Sequence, residues 1–227
     1  MGGVLQRLLD KEIALVTFDY FGCGGTGGDY RQMTYRRWKE NLACVITWVS
    51  GQPFADMNKL GCYGFSSGST SALRLAAEDE RIRFMISVGT CISAHIGMSE
   101  GGPAKLLADN LELLRSDGAV QLFGVDFTLD FYIDTVSNAP IQKHIMGNIK
   151  CPILFLQGAS DNVYRRADAK MAYDLLRHNN TLVKYIEIEN GEHGLDNVAD
   201  EAAKAALNWL IAIDVPDGKR SDVYGTH

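Results

Sequence analysis

The chain alternates short, unbroken apolar runs with longer stretches of helical spacing. The short runs are Ile13–Phe18, Lys59–Tyr63, Phe84–Gly89, Cys151–Gly158 and Leu182–Ile188. They are apolar in mid-run, with glycine or acidic residues close after most of them, which predicts strands buried on both faces of a parallel sheet. Between them, apolar positions recur at helical spacing. Leu5–Lys11 reads as the tail of an amphipathic helix. Thr34 is a plausible N-cap for a helix running to Val49, which Gly51-Gln52-Pro53 ends. Ser69–Glu78 presents Ala72, Leu73, Leu75 and Ala76 on one face, and Arg166–His178 and Val198–Ile213 complete the set. Strand–helix alternation implies right-handed crossovers. The expected fold class is α/β, a mostly parallel sheet flanked by helices, in one domain spanning residues 1–227.

The rhythm breaks between Thr90 and Lys150. This stretch contains no clean strand pattern, a helical piece at Pro103–Arg115, and a second apolar piece at Leu122–Ile133. In the latter, Phe123, Phe127, Phe131 and Tyr132 are spaced as on one face of a helix. An insertion over 90–150, emerging after the Phe84–Gly89 strand, is expected to be a lid over a site or a separately packed element.

Composition narrows the class. With 227 residues, 46% hydrophobic and 22% charged, the chain can bury a sizeable core. A net charge of -6 argues against a nucleic-acid partner. No uncharged apolar run approaches the roughly 18 residues of a membrane span. Met1–Gln6 lacks the basic-then-apolar pattern of a signal peptide, and Gln6 stands where a myristoylation motif wants Ser or Thr. No membrane association is expected. The five cysteines, Cys23, Cys44, Cys62, Cys91 and Cys151, are odd in number, scattered and mostly within apolar runs. They read as reduced, buried thiols of a cytoplasmic protein rather than disulfides or zinc ligands.

Two glycine-rich loops are candidates for chemistry. Gly22-Cys23-Gly24-Gly25-Thr26-Gly27 fits the dinucleotide fingerprint in spelling. That fingerprint must open a helix at once, whereas here the next helix waits until Thr34. No cofactor and no metal is expected. The second loop, Gly64-Phe65-Ser66-Ser67-Gly68, follows a strand and precedes a helix, the setting of a nucleophile elbow. Glycines two residues either side of Ser66 are expected because bulkier residues would collide with the neighbouring strand and helix. Ser67 and Ser69 lack glycines at both offsets.

A serine hydroxyl needs a base within hydrogen-bond reach and a group to orient that base. In a parallel sheet, loops after the strands' carboxyl ends converge on one edge. Ser66, Asp161 and His193 each occupy such a loop, in the order Ser…Asp…His that this elbow uses. His95 and His144 lie in the insertion, His178 ends a helix and His227 is terminal. The candidate catalytic residues are therefore Ser66, Asp161 and His193, with the Ser67 amide as oxyanion donor. Phe65, Phe127 and Phe131 are candidates for lining an apolar acyl site.

These motifs resemble the α/β-hydrolase superfamily, and within it the small bacterial esterases related to serine aminopeptidases and feruloyl esterases. Asp19, Gly22, Gly24, Thr26 and Gly28 stand where that family carries Asp-x-x-Gly-x-Gly-x-Ser-x-Gly, with Thr for Ser. Gly64, Ser66 and Gly68 match its elbow, Gly158 and Asp161 its acid loop, and Gly191 and His193 its histidine loop. The resemblance implies a small-molecule ester or thioester substrate. An acyl thioesterase, an acyltransferase and a catalytically silent binding protein of the same fold are the rival readings. The family supplies a second oxyanion amide from a His-Gly loop upstream of the Asp19 position, absent from this sequence. Losing one such donor typically costs about 2.7–4 kcal/mol. The strands that precede Ile13 in the family are missing as well, so a second copy of the chain or a longer N-terminal segment is expected to cover that sheet edge.

Overall fold

The computed structural model describes residues 2–11, 13–90, 103–122, 124–138, 147–164, 166–178, 180 and 182–213. In chain order its elements are α1 (Gly2–Leu9), a 3-10 turn (Tyr30–Gln32), α2 (Tyr35–Ser50), β1 (Gly61–Phe65), α3 (Ser67–Ala76) and β2 (Phe84–Val88). Then come α4 (Pro103–Asp109), α5 (Leu111–Ser116), β3 (Ala119–Leu122), β4 (Val125–Thr128) and α6 (Leu129–Asn138). The chain continues through β5 (Ile153–Gly158), α7 (Arg166–Arg177), β6 (Val183–Ile188), a 3-10 turn (Asp196–Val198) and α8 (Ala199–Ala212).

The strands β1, β2, β5 and β6 form one parallel sheet in that spatial order. Successive side chains of a strand point to opposite faces, so each central strand feeds two layers. Met85, Ile153 and Phe155 enter a core with Leu42 and Ile46 of α2, Leu73 and Leu75 of α3, and Ala172 and Leu176 of α7. Ile86, Val88, Leu154 and Leu156 enter the opposite core with Val4 and Leu8 of α1 and Ala206, Trp209 and Leu210 of α8. Every residue of β5 is buried, as an unbroken apolar run predicts for a central strand. Truncating one of these buried Leu or Ile side chains to Ala would cost about 2–5 kcal/mol.

Helix α2 starts where its cap predicts. The Arg37 amide donates to Thr34 Oγ1 at 3.1 Å, satisfying one of the free donors of the first turn. The preceding glycine loop closes on a carboxylate and leads into the 3-10 turn Tyr30–Gln32, not into an α-helix. The Gly25 amide donates to Asp19 Oδ2 at 2.9 Å, and a Cβ on Gly24 (φ +51°) would lie 2.1 Å from that carboxylate.

Four expectations are corrected. Ile13–Phe18 is not a strand of the sheet. Ile13 and Leu15 pack on the α1/α8 core and Phe18 on the α2/α3 core, while Ala14, Val16 and Thr17 are exposed. Among the described residues β1 pairs with β2 alone, and Ile13–Phe18 joins no ladder: side-chain packing on the two cores, not strand pairing, holds it. Leu122–Ile133 is not one helix but a hairpin followed by one. Gly124 takes φ +81° at the turn, and Val125–Thr128 pairs antiparallel with Ala119–Leu122. Thr128 Oγ1 accepts the Phe131 amide at 3.3 Å and so starts α6. The Pro103–Arg115 piece is two helices, interrupted at Asn110, whose side-chain amide donates to the Leu106 carbonyl at 2.8 Å. The cysteines are not uniformly buried: Cys62 is buried, Cys23 and Cys151 are intermediate and Cys44 is exposed, while Cys91 lies outside the described residues.

The described residues of 103–138 build a third core together with α2 and the turn before it. Met33, Tyr35 and Trp38 pack there with Leu107, Leu114, Phe127 and Phe131. Among the described residues no helix is long and apolar enough to cross a membrane.

Candidate active site

At the carboxyl edge of the sheet, β1 turns into α3 through a single residue. Ser66 has φ 52° and ψ -123°, a region that costs a non-glycine residue about 1–3 kcal/mol. Its backbone is held on both sides. The Ser66 amide donates to the Val88 carbonyl at 2.9 Å, and the Ser66 carbonyl accepts the Ser69 and Thr70 amides. Ser66 occupies the N-cap position of α3 yet makes no side-chain capping bond, so its hydroxyl is directed elsewhere. The two flanking glycines are not equivalent. A Cβ on Gly64 would lie 2.6 Å from the Ser69 Cα, which no side chain tolerates. A Cβ on Gly68 would meet nothing nearer than the Tyr20 hydroxyl at 3.9 Å. The expected steric requirement therefore holds before Ser66 and not after it.

The loops after β5 and β6 meet at two glycines. A Cβ on Gly158 would sit 2.2 Å from the Gly191 carbonyl oxygen, and the Ser160 amide donates to that same oxygen at 2.8 Å. This contact brings Asp161 and His193 together. His193 Nδ1 lies 2.8 Å from Asp161 Oδ2, and His193 Nε2 lies 3.1 Å from Ser66 Oγ. The Asp161 side chain is fully buried and its acceptors are filled. Oδ1 accepts the Val163 and Tyr164 amides at 2.8 and 2.9 Å, and Oδ2 also accepts Gln157 Nε2 at 2.8 Å. Burial alone would push this carboxyl upward, but the hydrogen bonds from His193, Tyr164 and Val163 outweigh it and hold Asp161 below the ordinary carboxylate range. An ionised Asp161 accepts, so His193 Nδ1 carries the hydrogen and Nε2 is left as an acceptor for the Ser66 hydroxyl.

The imidazole is enclosed as well as bonded. The Phe65 ring lies 4.8 Å from it and the Tyr164 ring 5.2 Å, centroid to centroid. Gly89, at φ +54°, presses its backbone against the ring edge: a Cβ there would be 2.8 Å from His193 Cε1. Phe65, expected to face substrate, thus packs on His193. Ser67 opens α3, and its hydroxyl lies 3.2 Å from the Tyr35 hydroxyl. Tyr35 in turn packs on Phe131 at 5.5 Å, and Phe131 on Phe127 at 4.9 Å. Phe127 and Phe131 are 8% and 3% exposed, so they belong to the core built on the inserted segment, and Phe131 packs on Tyr35 and Trp38 of α2. Phe123 lies outside the described residues. Gln157, Tyr164, Gly89 and Tyr35 are site residues that sequence reasoning missed. Gln157 left a signal, a lone polar residue ending a fully apolar strand. The other three left none, because their roles arise from contacts across the fold. Among the described residues, no cluster of His, Cys, Asp or Glu could hold a metal ion.

A parallel sheet with helices on both faces, an elbow serine in strained backbone and a hydrogen-bonded Ser–His–Asp chain at the sheet's carboxyl edge define a class. The fold is that of the α/β-hydrolases. The family model of the X-Pro dipeptidyl-peptidases (S15 family) matches residues 6–118. The structure resembles Est1E from Butyrivibrio proteoclasticus, solved with bound ferulic acid, at a TM-score of 0.77 and 17% identity, over 92% of this chain and 81% of that one. It resembles the Pyrococcus furiosus esterase Pf2001 at a TM-score of 0.68 and 20% identity, over 93% and 76%. The polyketide transferase claH of Penicillium crustosum is 32% identical over 83 residues, 36% of this chain and 27% of that protein. The matches to curated relatives thus span about a quarter of those proteins' length.

Proposed function

We propose that this chain is a serine hydrolase that cleaves a carboxylic ester or thioester through an acyl-enzyme. The observation that carries the proposal is the unbroken hydrogen-bond chain from Ser66 Oγ through His193 to Asp161. Ser66 Oγ attacks the acyl carbonyl while His193 Nε2 takes its proton, and the buried Asp161 carboxylate stabilises the imidazolium that forms. Charge developing on the carbonyl oxygen meets the Ser67 amide at the N-terminus of α3, where the helix dipole favours an anion. The tetrahedral species collapses, and His193 returns the proton to the departing alcohol or thiol. Water then attacks the acyl-Ser66 ester with His193 again as base, releasing the acid.

An apolar or aromatic acyl group suits this site. The fold likeness to an esterase and to a protein that binds ferulic acid supports the reading. The likeness to a polyketide transferase favours one second reading: the same acyl-enzyme delivers its acyl group to an alcohol in place of water. The test is a panel of p-nitrophenyl esters and acyl thioesters of increasing acyl length, assayed with the wild type and Ser66→Ala, with and without an added alcohol. Turnover that disappears in Ser66→Ala establishes the hydrolase, and alcohol-dependent ester product establishes transfer. Turnover unchanged in Ser66→Ala contradicts both.

A further inference from the structure

Directly behind the elbow, three hydroxyl side chains are buried together. Ser69, Ser87 and Thr90 are 0%, 0% and 1% exposed. Ser69 Oγ lies 2.5 Å from Ser87 Oγ and 3.1 Å from Thr90 Oγ1, and Ser87 Oγ closes the ring on Thr90 Oγ1. Each hydroxyl brings one donor, so a closed ring can satisfy all three with no outside partner. An apolar trio of the same shape would pack as well and would avoid the cost of dehydrating three hydroxyls. What hydroxyls add is direction.

The three come from two different supports. Ser69 lies in the first turn of α3, and the Gly64 backbone packs against its Cα. Ser87 is the penultimate residue of β2, and Thr90 follows Gly89 just beyond its end. Within that same segment, the Val88 carbonyl accepts the Ser66 amide and the Gly89 backbone abuts the His193 ring. The ring therefore ties the helix that starts at Ser67 to the strand end on which Ser66 and His193 both rest. We infer that the buried Ser69–Ser87–Thr90 hydroxyl ring is a positioning device that sets the spacing between Ser66 Oγ and His193 Nε2. Its residues touch neither substrate nor the reacting atoms; they act through the Val88–Gly89 backbone. The inference rests on the hydrolase reading above.

The experiment compares Thr90→Val, which keeps the shape and removes the hydroxyl, with Thr90→Ser, which keeps the hydroxyl, and with Ser87→Ala as a second break in the ring. A remote core variant, Ile46→Val, controls for lost stability. Thr90→Val and Ser87→Ala should lower kcat on p-nitrophenyl acetate about tenfold with KM within about twofold, because small displacements of reacting groups act on the chemical step. Fluorophosphonate labelling of Ser66 should slow by the same factor. Thr90→Ser should keep at least about half of kcat, and Ile46→Val should leave it unchanged. Should Thr90→Val not fold, Ser87→Ala carries the test. The inference is overturned if both ring breaks keep kcat within about twofold of wild type, or if Thr90→Ser is as slow as Thr90→Val. A wild type that neither turns over esters nor labels would instead refute the hydrolase reading beneath it.

Discussion

The acid–histidine edge of the sheet bonds Ser66 directly, the inserted segment at 103–138 packs on Tyr35 of α2 beside the elbow, and the two are held together by different physics. At the sheet edge, position is fixed by directed contacts. Asp161 has both carboxylate oxygens filled, His193 is bonded at both nitrogens and flanked by Gly89, and Gly158 and Gly191 touch backbone to backbone. In the inserted segment, position is fixed by apolar packing of Trp38, Phe127, Phe131 and their neighbours, with the Tyr35–Ser67 contact linking it to the elbow. Directed contacts tolerate no displacement, whereas apolar packing relaxes around a change. The two regions should therefore fail differently: the first in rate on every substrate, the second in stability and acyl preference at preserved chemistry.

The largest effect should come from removing the nucleophile. Ser66→Ala should lower kcat on p-nitrophenyl acetate by roughly 10⁴–10⁶-fold with an unchanged melting temperature, since members of such a chain act as a unit. Asp161→Asn should follow at about 10⁴-fold, because an amide facing Nδ1 favours the wrong histidine tautomer. Gly89→Ala should cost about 10²-fold in kcat, as its methyl would displace His193. A kcat loss of less than threefold in Gly89→Ala would remove the backbone contact from the account.

The inserted segment should answer in the opposite manner. Phe131→Ala should destabilise by about 3–5 kcal/mol in urea melts, the usual cost of deleting a buried aromatic. Turnover of acetyl esters by the remaining folded protein should change little, while turnover of longer or aromatic acyl groups should drop about tenfold. Equal loss on both substrates would show that the segment only supports the fold.

The smallest effect concerns pH. Folding lowers the Asp161 pKa below its unfolded value of about 3.9, so its contribution to stability is complete above that value and is lost as pH falls through the folded value. Between pH 5 and pH 2.5, on the order of the range where carboxylates titrate, the wild-type melting temperature should fall more steeply than that of Asp161→Asn. Parallel curves would contradict the depressed carboxyl.

The same division governs what the sequence revealed. The strand ends and the order of Ser66, Asp161 and His193 were legible, because an apolar run, a glycine and a polar loop residue are local signals. The sheet order places all three at one edge, as a parallel topology demands. Ile13–Phe18 misled because its apolar pattern carries no information about a hydrogen-bonding neighbour. Phe127 and Phe131 misled because a spacing of four residues fits a helix face and also fits a strand leading into a helix; Gly124 at the turn and Thr128 at the cap decided between them. Gly89 and the Ser69–Ser87–Thr90 ring were invisible, since each matters only for what it touches across the fold.

The central claim is that Ser66, poised by His193 and Asp161, is a nucleophile. The most direct measurement is fluorophosphonate labelling followed by peptide mass spectrometry on the folded wild type, His193→Ala and Asp161→Asn. The account predicts one adduct, on the peptide carrying Ser66, with a labelling rate that collapses in His193→Ala and falls strongly in Asp161→Asn. A folded wild type that takes no label, or an adduct on another residue that forms equally fast in His193→Ala, would contradict it.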